Sequence, residues 1–185
     1  MTMPDAIMLA AIALPLIGAA PGPSTPVPST PDLGKAQGQC RPGAGDPILL
    51  ADVVGLKDRT GKLKLEVYPA NDQDFLADDN VLINSGKTFA RVEQAVPSTG
   101  TPRLCIRLPR AGTYAVSLLH DRDADRKFNW RIDGIGFAGN PRLGWNKPKA
   151  TKASVAAGNG ATVVEIVLNY RHGLGVAPLP SGAAR

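Results

Sequence analysis

The chain has 185 residues, a length that points to one domain. Its 20 glycines and 17 prolines argue against a helix bundle, while 43% hydrophobic residues are enough for a core. Two Cys and two His exclude a zinc ribbon, a Cys-ligated iron–sulfur site and a disulfide-dense miniprotein, and the net charge of +5 is spread among acids with no run or motif that would read nucleic acid.

Residues 6–20 form an uncharged apolar run, short for a membrane span and suited to the core of a signal peptide, with Gly18-Ala19-Ala20 supplying small residues for cleavage. Two features run against this: no Lys or Arg precedes the run, and Pro21 follows it. The alternative is an uncleaved N-terminal anchor or a misplaced start. The expectation is a leader at 1–20 and a periplasmic or secreted product, with no later transmembrane span. Residues 21–45 carry Pro21, Pro23, Pro26, Pro28 and Pro31 and read as a polyproline-type spacer.

From 46 to 170 the hydrophobic period is two. Ile48 to Val54 is a mostly apolar strand, and Lys57-Asp58-Arg59-Thr60-Gly61 reads as a turn. Leu63, Leu65 and Val67 alternate with Lys64, Glu66 and Tyr68, so that 48–68 is expected to be a hairpin. Residues 71–80 suit a short helical turn and 89–96 a strand. Leu104, Ile106 and Leu108 take a core face, with Arg103, Cys105 and Arg107 opposite. Tyr114, Val116 and Leu118 follow the turn at Pro109–Gly112, and Val164, Ile166, Leu168 and Tyr170 close the domain. Six or seven strands imply an all-β, single antiparallel β-sandwich. Residues 171–185 read as a flexible Gly/Pro/Ala tail.

Cys40 ends the spacer and Cys105 faces outward on its strand. An exported chain with two Cys usually pairs them, so a structural disulfide is expected. The alternative is two free thiols.

Three stretches carry a family resemblance. Residues 55–63 (GLKDRTGKL) are similar to an opening strand–turn–strand, residues 108–116 (LPRAGTYAV) to an L-P-x-G-x-Y-x-V turn with one extra residue, and residues 120–129 (HDRDADRKFN) to an H-D-x-[ND]-x-[ND]-G-K-hydrophobic-[DN] box followed by Gly134-Ile135-Gly136-Phe137. In this order, over residues 46–170, they resemble the bacterial secreted domain-of-unknown-function family 2141. The resemblance implies an extracytoplasmic transthyretin-like (prealbumin-like) sandwich and assigns no activity. Arg126 stands where the box has Gly.

The Asp loop is the sharpest local signal. Asp121, Asp123 and Asp125 occupy positions 1, 3 and 5 of a calcium-loop pattern, with the Lys127 carbonyl and Asn129 as further candidate ligands. Position 6 is Arg126 instead of Gly, and position 12 is Ile132 instead of Glu. A weak calcium site therefore competes with a solvated turn held by Asp–Arg pairs and Asx-type hydrogen bonds. His120, at the end of the strand feeding this loop, is read as a histidine that hydrogen-bonds the loop backbone. No nucleophile motif accompanies it, so no catalytic residue is assigned. Trp130, Arg142, Trp145 and Lys147 form a candidate ligand loop with His120, as a platform for sugar or an anionic polymer; otherwise Trp145 caps the core. Burial of Trp145 separates these two.

The first functional reading is a non-enzymatic envelope or secreted module binding a ligand or partner through loops 120–148, with envelope glycan, lipopolysaccharide or a protein as candidates. A metal-assisted hydrolase using His120 and the Asp cluster, and a purely structural envelope protein, are the alternatives.

Overall fold

The computed structural model describes residues 25–41 and 45–180. The expected leader lies outside the described residues, as do parts of the spacer and of the tail. Among the described residues the fold is a β-sandwich of ten strands in two sheets. The smaller sheet has β1 (Ile48–Val54) between β4 (Arg103–Arg107) and β8 (Ala161–Val167). The larger runs in the order β10-β9-β6-β5-β2-β3, from β2 (Lys62–Pro69), β3 (Ala90–Ala95), β5 (Gly112–Asp121), β6 (Gly134–Phe137), β9 (Asn169–His172) and β10 (Gly175–Pro178). β7 (Ser154–Ala157) pairs with the first half of β5, while β6 pairs with its second half.

Alternation places Leu49, Ala51, Val53, Leu104, Ile106 and Ile166 of the small sheet against Leu63, Leu65, Val67, Val116 and Leu118 of the large one. This is the main core, and it follows the period-two reading residue by residue. Three expectations are corrected. Residues 48–68 are not a hairpin: β1 and β2 lie in different sheets, and Leu56 to Gly61 is an arch between them. The sandwich is not wholly antiparallel, because β1 pairs with β8 in parallel, Ile48 opposite Ala161. The segment read as the start of the tail is strand, since β9 and β10 pair antiparallel, Val176 opposite Arg171.

Part of the outer face of the large sheet is also covered. Residues 70–89, with a helix α2 (Asp79–Asn84), and a 3-10 turn at Ala150–Lys152 pack Phe75, Leu82, Phe89, Ala150 and Ala153 onto Tyr68, Ala115 and Phe137. Tyr68–Phe75 and Phe75–Phe137 meet edge to face, each with ring centroids 5.7 Å apart. Glu66 and Tyr68, read from alternation as outward and wet, are therefore buried. Arg91 donates to Glu66 at 2.7 Å and to Asp79 at 3.2 Å, and the Tyr68 hydroxyl donates to Glu66 at 2.8 Å.

Residues 27–40 lie along this same edge. Asn84 exchanges two hydrogen bonds with the Val27 backbone, and Arg91 reaches the carbonyls of Thr30 and Leu33. A short helix α1 (Lys35–Gly38) follows, and a Cβ on Gly38 would stand 2.6 Å from the Arg91 carbonyl oxygen. Cys40 is bridged to Cys105 with Cα atoms 6.0 Å apart. The expected disulfide is present and staples the end of this segment to the outer face of β4.

Candidate functional site

The loops after β5 contain two different environments. At the strand end, His120 is fully buried. Its Nε2 lies 2.9 Å from the Thr60 carbonyl, which can only accept, so Nε2 carries the proton. Nδ1 then accepts from the Tyr170 hydroxyl at 2.6 Å, and that hydroxyl accepts from the Lys57 N–H at 3.1 Å. Burial lowers the His120 pKa and raises that of Tyr170. Gly134 is required here, because a Cβ would stand 2.6 Å from Cζ of the Tyr170 ring. Every polar atom of the pair is used, and neither faces an opening. His120 thus holds the arch at residues 57–61 to the ends of β5 and β9.

Beyond it, Asp121 is buried and turns its carboxylate into the loop, accepting from the N–H of Asp125 (3.1 Å) and of Arg126 (2.8 Å). These bonds hold Ala124 and Arg126 at positive φ, 59° and 70°. The second of these is the position where the resembled box has Gly, and the Asp121 bond to its N–H helps Arg126 hold this conformation. Asp125 accepts from Lys127 N–H and Asn129 from Arg131 N–H, so both serve the loop's own backbone. The carboxylates brought together are Asp121, Asp123 and Asp133, within 4.8 Å of one another. Asp125, Lys127 and Asn129 do not join them. Asp133 is one residue beyond position 12 of the calcium pattern, which is why the template passes over it. It accepts from the N–H groups of Arg122 and Asn129, closing the loop's base. Burial raises the Asp121 pKa against the backbone hydrogen bond from Arg126. Arg122 also forks onto Asp58, and burial of Asp58 is outweighed by these hydrogen bonds and those of Thr60, which hold its pKa at about 2.

The second environment is open. Where the covering segment stops, the outer face of the large sheet forms the floor of a groove of about 790 Å³. Lys64, Glu66, Ser117, Leu119, Ile135 and Phe137 supply the floor. One wall is Phe128 and Trp130, another is the 143–148 loop with Trp145, and a third is Leu174 to Val176 of the β9–β10 hairpin. Trp145 is 85% exposed and Leu174 76%, with Phe128 and Trp130 also exposed. Trp145 therefore does not cap the core. Lys147, at the same loop, donates to the carbonyls of Asp72 and Phe75.

Of the sequence candidates, Trp130, Trp145 and Lys147 line this groove; His120 and Arg142 do not. Phe128, Leu174 and the Lys64–Glu66 floor are further lining residues. Phe128 was legible as the apolar residue of the Asp box, whereas Leu174 fell in the presumed tail and the floor needed the sheet order.

No curated protein and no solved structure matches the chain significantly. A model of the family described as "Uncharacterized protein conserved in bacteria (DUF2141)" matches residues 51–165, from β1 to β8. That span covers more than half of the chain and includes the buried His120, the Asp loop and two walls of the groove. With the strand–turn blocks in place and the sandwich formed, the chain belongs to the bacterial family DUF2141.

Proposed function

We propose that this domain is a binding module that takes a small ligand with an apolar part into the groove between Trp130, Trp145 and Leu174. The observation that carries this is the set of exposed large apolar side chains around a concavity of about 790 Å³. Small-molecule sites fall in the range of about 300–1,000 Å³ and are lined in this way. Isolated exposed apolar residues are ordinary, but four facing one groove are a patch with a use. Binding is favoured over hydrolysis because His120 has both ring nitrogens engaged and no solvent access, which leaves it unfit as a base.

The module works outside the cytoplasm in this reading. The apolar run before the Pro-rich segment and the Cys40–Cys105 bridge support export. N-terminal sequencing of the mature protein should start after about residue 18, and intact Met1 in the soluble cytoplasm would refute it.

Both tryptophans of the chain line the groove, so intrinsic fluorescence reports on it directly. Titration with monomeric fatty acid, detergent and oligosaccharide should give a saturable change for at least one class. Trp145→Ala should weaken that binding by roughly tenfold or more, as loss of an aromatic anchor does. No saturable change with any class would refute the groove as a binding site.

A further inference from the structure

We infer that the ligand of this groove is a single-chain amphiphile with an anionic headgroup, seated on Arg131 and Arg171 beside Trp130 while its apolar part runs toward Trp145 and Leu174. This rests on the groove being the binding site and adds the chemical class of what it takes.

The argument is charge complementarity. Arg171 and Arg131 place their guanidinium carbons 5.0 and 5.7 Å from the centroid of the Trp130 ring. They come from different elements, β9 and the loop before β6, and converge on one groove-wall residue. Both are exposed, and among the described residues neither has a carboxylate within 4.0 Å. Arg91, Arg103, Arg107, Arg122 and Arg126 each pair with Asp or Glu, whereas Arg131 and Arg171, like Arg59, Arg110 and Arg142, have no such partner among the described residues, and Arg171 Nε donates only to the Gly173 carbonyl at 3.3 Å. Across the groove, the Lys147 ammonium is held by carbonyls only.

The one acid in the floor is already neutralised. Glu66 accepts from Arg91 at 2.7 Å and has the Lys64 ammonium at 3.5 Å. Neither arginine lines the groove itself, but Arg171 lies opposite the lining residue Val176 on β10, and both guanidiniums stand against the Trp130 wall, so positive charge without a carboxylate partner adjoins the apolar groove. A cation there would meet like charges, and a neutral ligand would leave the guanidinium forks unused. A carboxylate or phosphate can take hydrogen bonds from both. The remaining volume between aromatic and aliphatic side chains suits one acyl chain or a fused ring system.

The test uses the leaderless full domain and four probes below their micelle concentrations: dodecanoate, dodecyl phosphate, dodecanol and dodecyltrimethylammonium. Fluorescence titration should show both anions binding about tenfold or more tightly than dodecanol, with the ammonium weakest. Raising salt should narrow the difference. In the double variant Arg131→Gln/Arg171→Gln the anions should lose their advantage over dodecanol, both measured on that same variant. Arg131→Lys/Arg171→Lys should keep a reduced preference. The near-ultraviolet spectrum checks that these surface variants remain folded.

Equal binding of dodecanoate and dodecanol, or an unchanged preference in the Gln variant, overturns the anionic headgroup and leaves the groove reading standing. Binding of none of the four overturns this inference, and the groove reading with it if oligosaccharides also fail. Attachment to anionic vesicles without binding of the monomeric probes replaces a captured amphiphile by a membrane-facing patch and also overturns the inference. The two anions distinguish a fatty-acid source from a phosphate-bearing one.

Discussion

Gly134→Ala should unfold the domain's far corner at a cost out of proportion to one methyl group. The new Cβ would lie 2.6 Å from Cζ and 2.9 Å from Oη of Tyr170, both inside van der Waals contact. Tyr170 is 1% exposed and sits in the main core, so the ring has little room to yield. Overpacking of this kind costs about 1–3 kcal/mol. A displaced hydroxyl also leaves His120 Nδ1 buried without its 2.6 Å donor, which adds about 1–3 kcal/mol. The expected loss is therefore roughly 2–6 kcal/mol, a large share of the ~5–15 kcal/mol typical of a domain. At ~2–4 °C per kcal/mol the melting temperature should drop by about 10 °C. Urea unfolding followed by circular dichroism and by fluorescence measures this. Tyr170→Phe separates the two contributions, because it removes the hydroxyl without the clash and should cost only the second. A Gly134→Ala protein within about 1 kcal/mol of wild type would show that the corner is loosely packed and the reasoning wrong.

Removing the bridge with Cys40→Ser/Cys105→Ser should destabilise the domain by about 4 kcal/mol in the chain-entropy treatment of a 65-residue separation, measured by urea unfolding; a loss under about 1 kcal/mol would mean the 27–40 segment is held by its hydrogen bonds alone. Stability should fall as pH drops below about 6.5, because the unfolded chain protonates His120 while the folded one resists; the slope should be at most about 1.4 kcal/mol per pH unit and should flatten in His120→Gln. Asp58, held at about 2, contributes stability that is complete above about pH 4 and is lost as pH falls toward 2, so acid unfolding should steepen there and Asp58→Asn should remove that component. Millimolar calcium or a chelator should leave the melting temperature unchanged, since Asp121, Asp125 and Asp133 already accept backbone N–H groups; a rise of several degrees, lost in Asp123→Ala, would establish a cation in the loop.

The strands of the sandwich core are legible because Leu63-x-Leu65-x-Val67 and Leu104-x-Ile106 can bury only one face each. Which sheet a strand joins is not written in that period. Lys57 to Gly61 has the composition of a reversing turn, and it does turn the chain. Yet Thr60 is bound by His120, Asp58 by Arg122, and Gly61 packs so closely that a Cβ would stand 2.7 Å from the Arg122 Cα. Those long-range partners, absent from any local window, convert a hairpin into an arch between sheets. The second covered face is equally hidden, because Glu66 and Tyr68 look wet until Arg91 and Phe75 arrive from elsewhere. Half of the groove was readable for the opposite reason. Trp130 and Trp145 stand in polar loops, where a large aromatic has no local cause. Leu174 has the same character, but its Gly-rich neighbours disguised a strand hairpin as a tail.

The parallel pairing of β1 with β8 has a kinetic consequence. Ile48 meets Ala161 across most of the domain's length, so the central strand of the small sheet lacks one neighbour until nearly all of the chain is present. Contacts between such distant residues are slow to form, because the intervening loop must be closed before any of them is made. The small sheet is thus completed late, by β8, its last strand in chain order. If the domain is exported as proposed above, late closure keeps the chain threadable while it crosses the membrane.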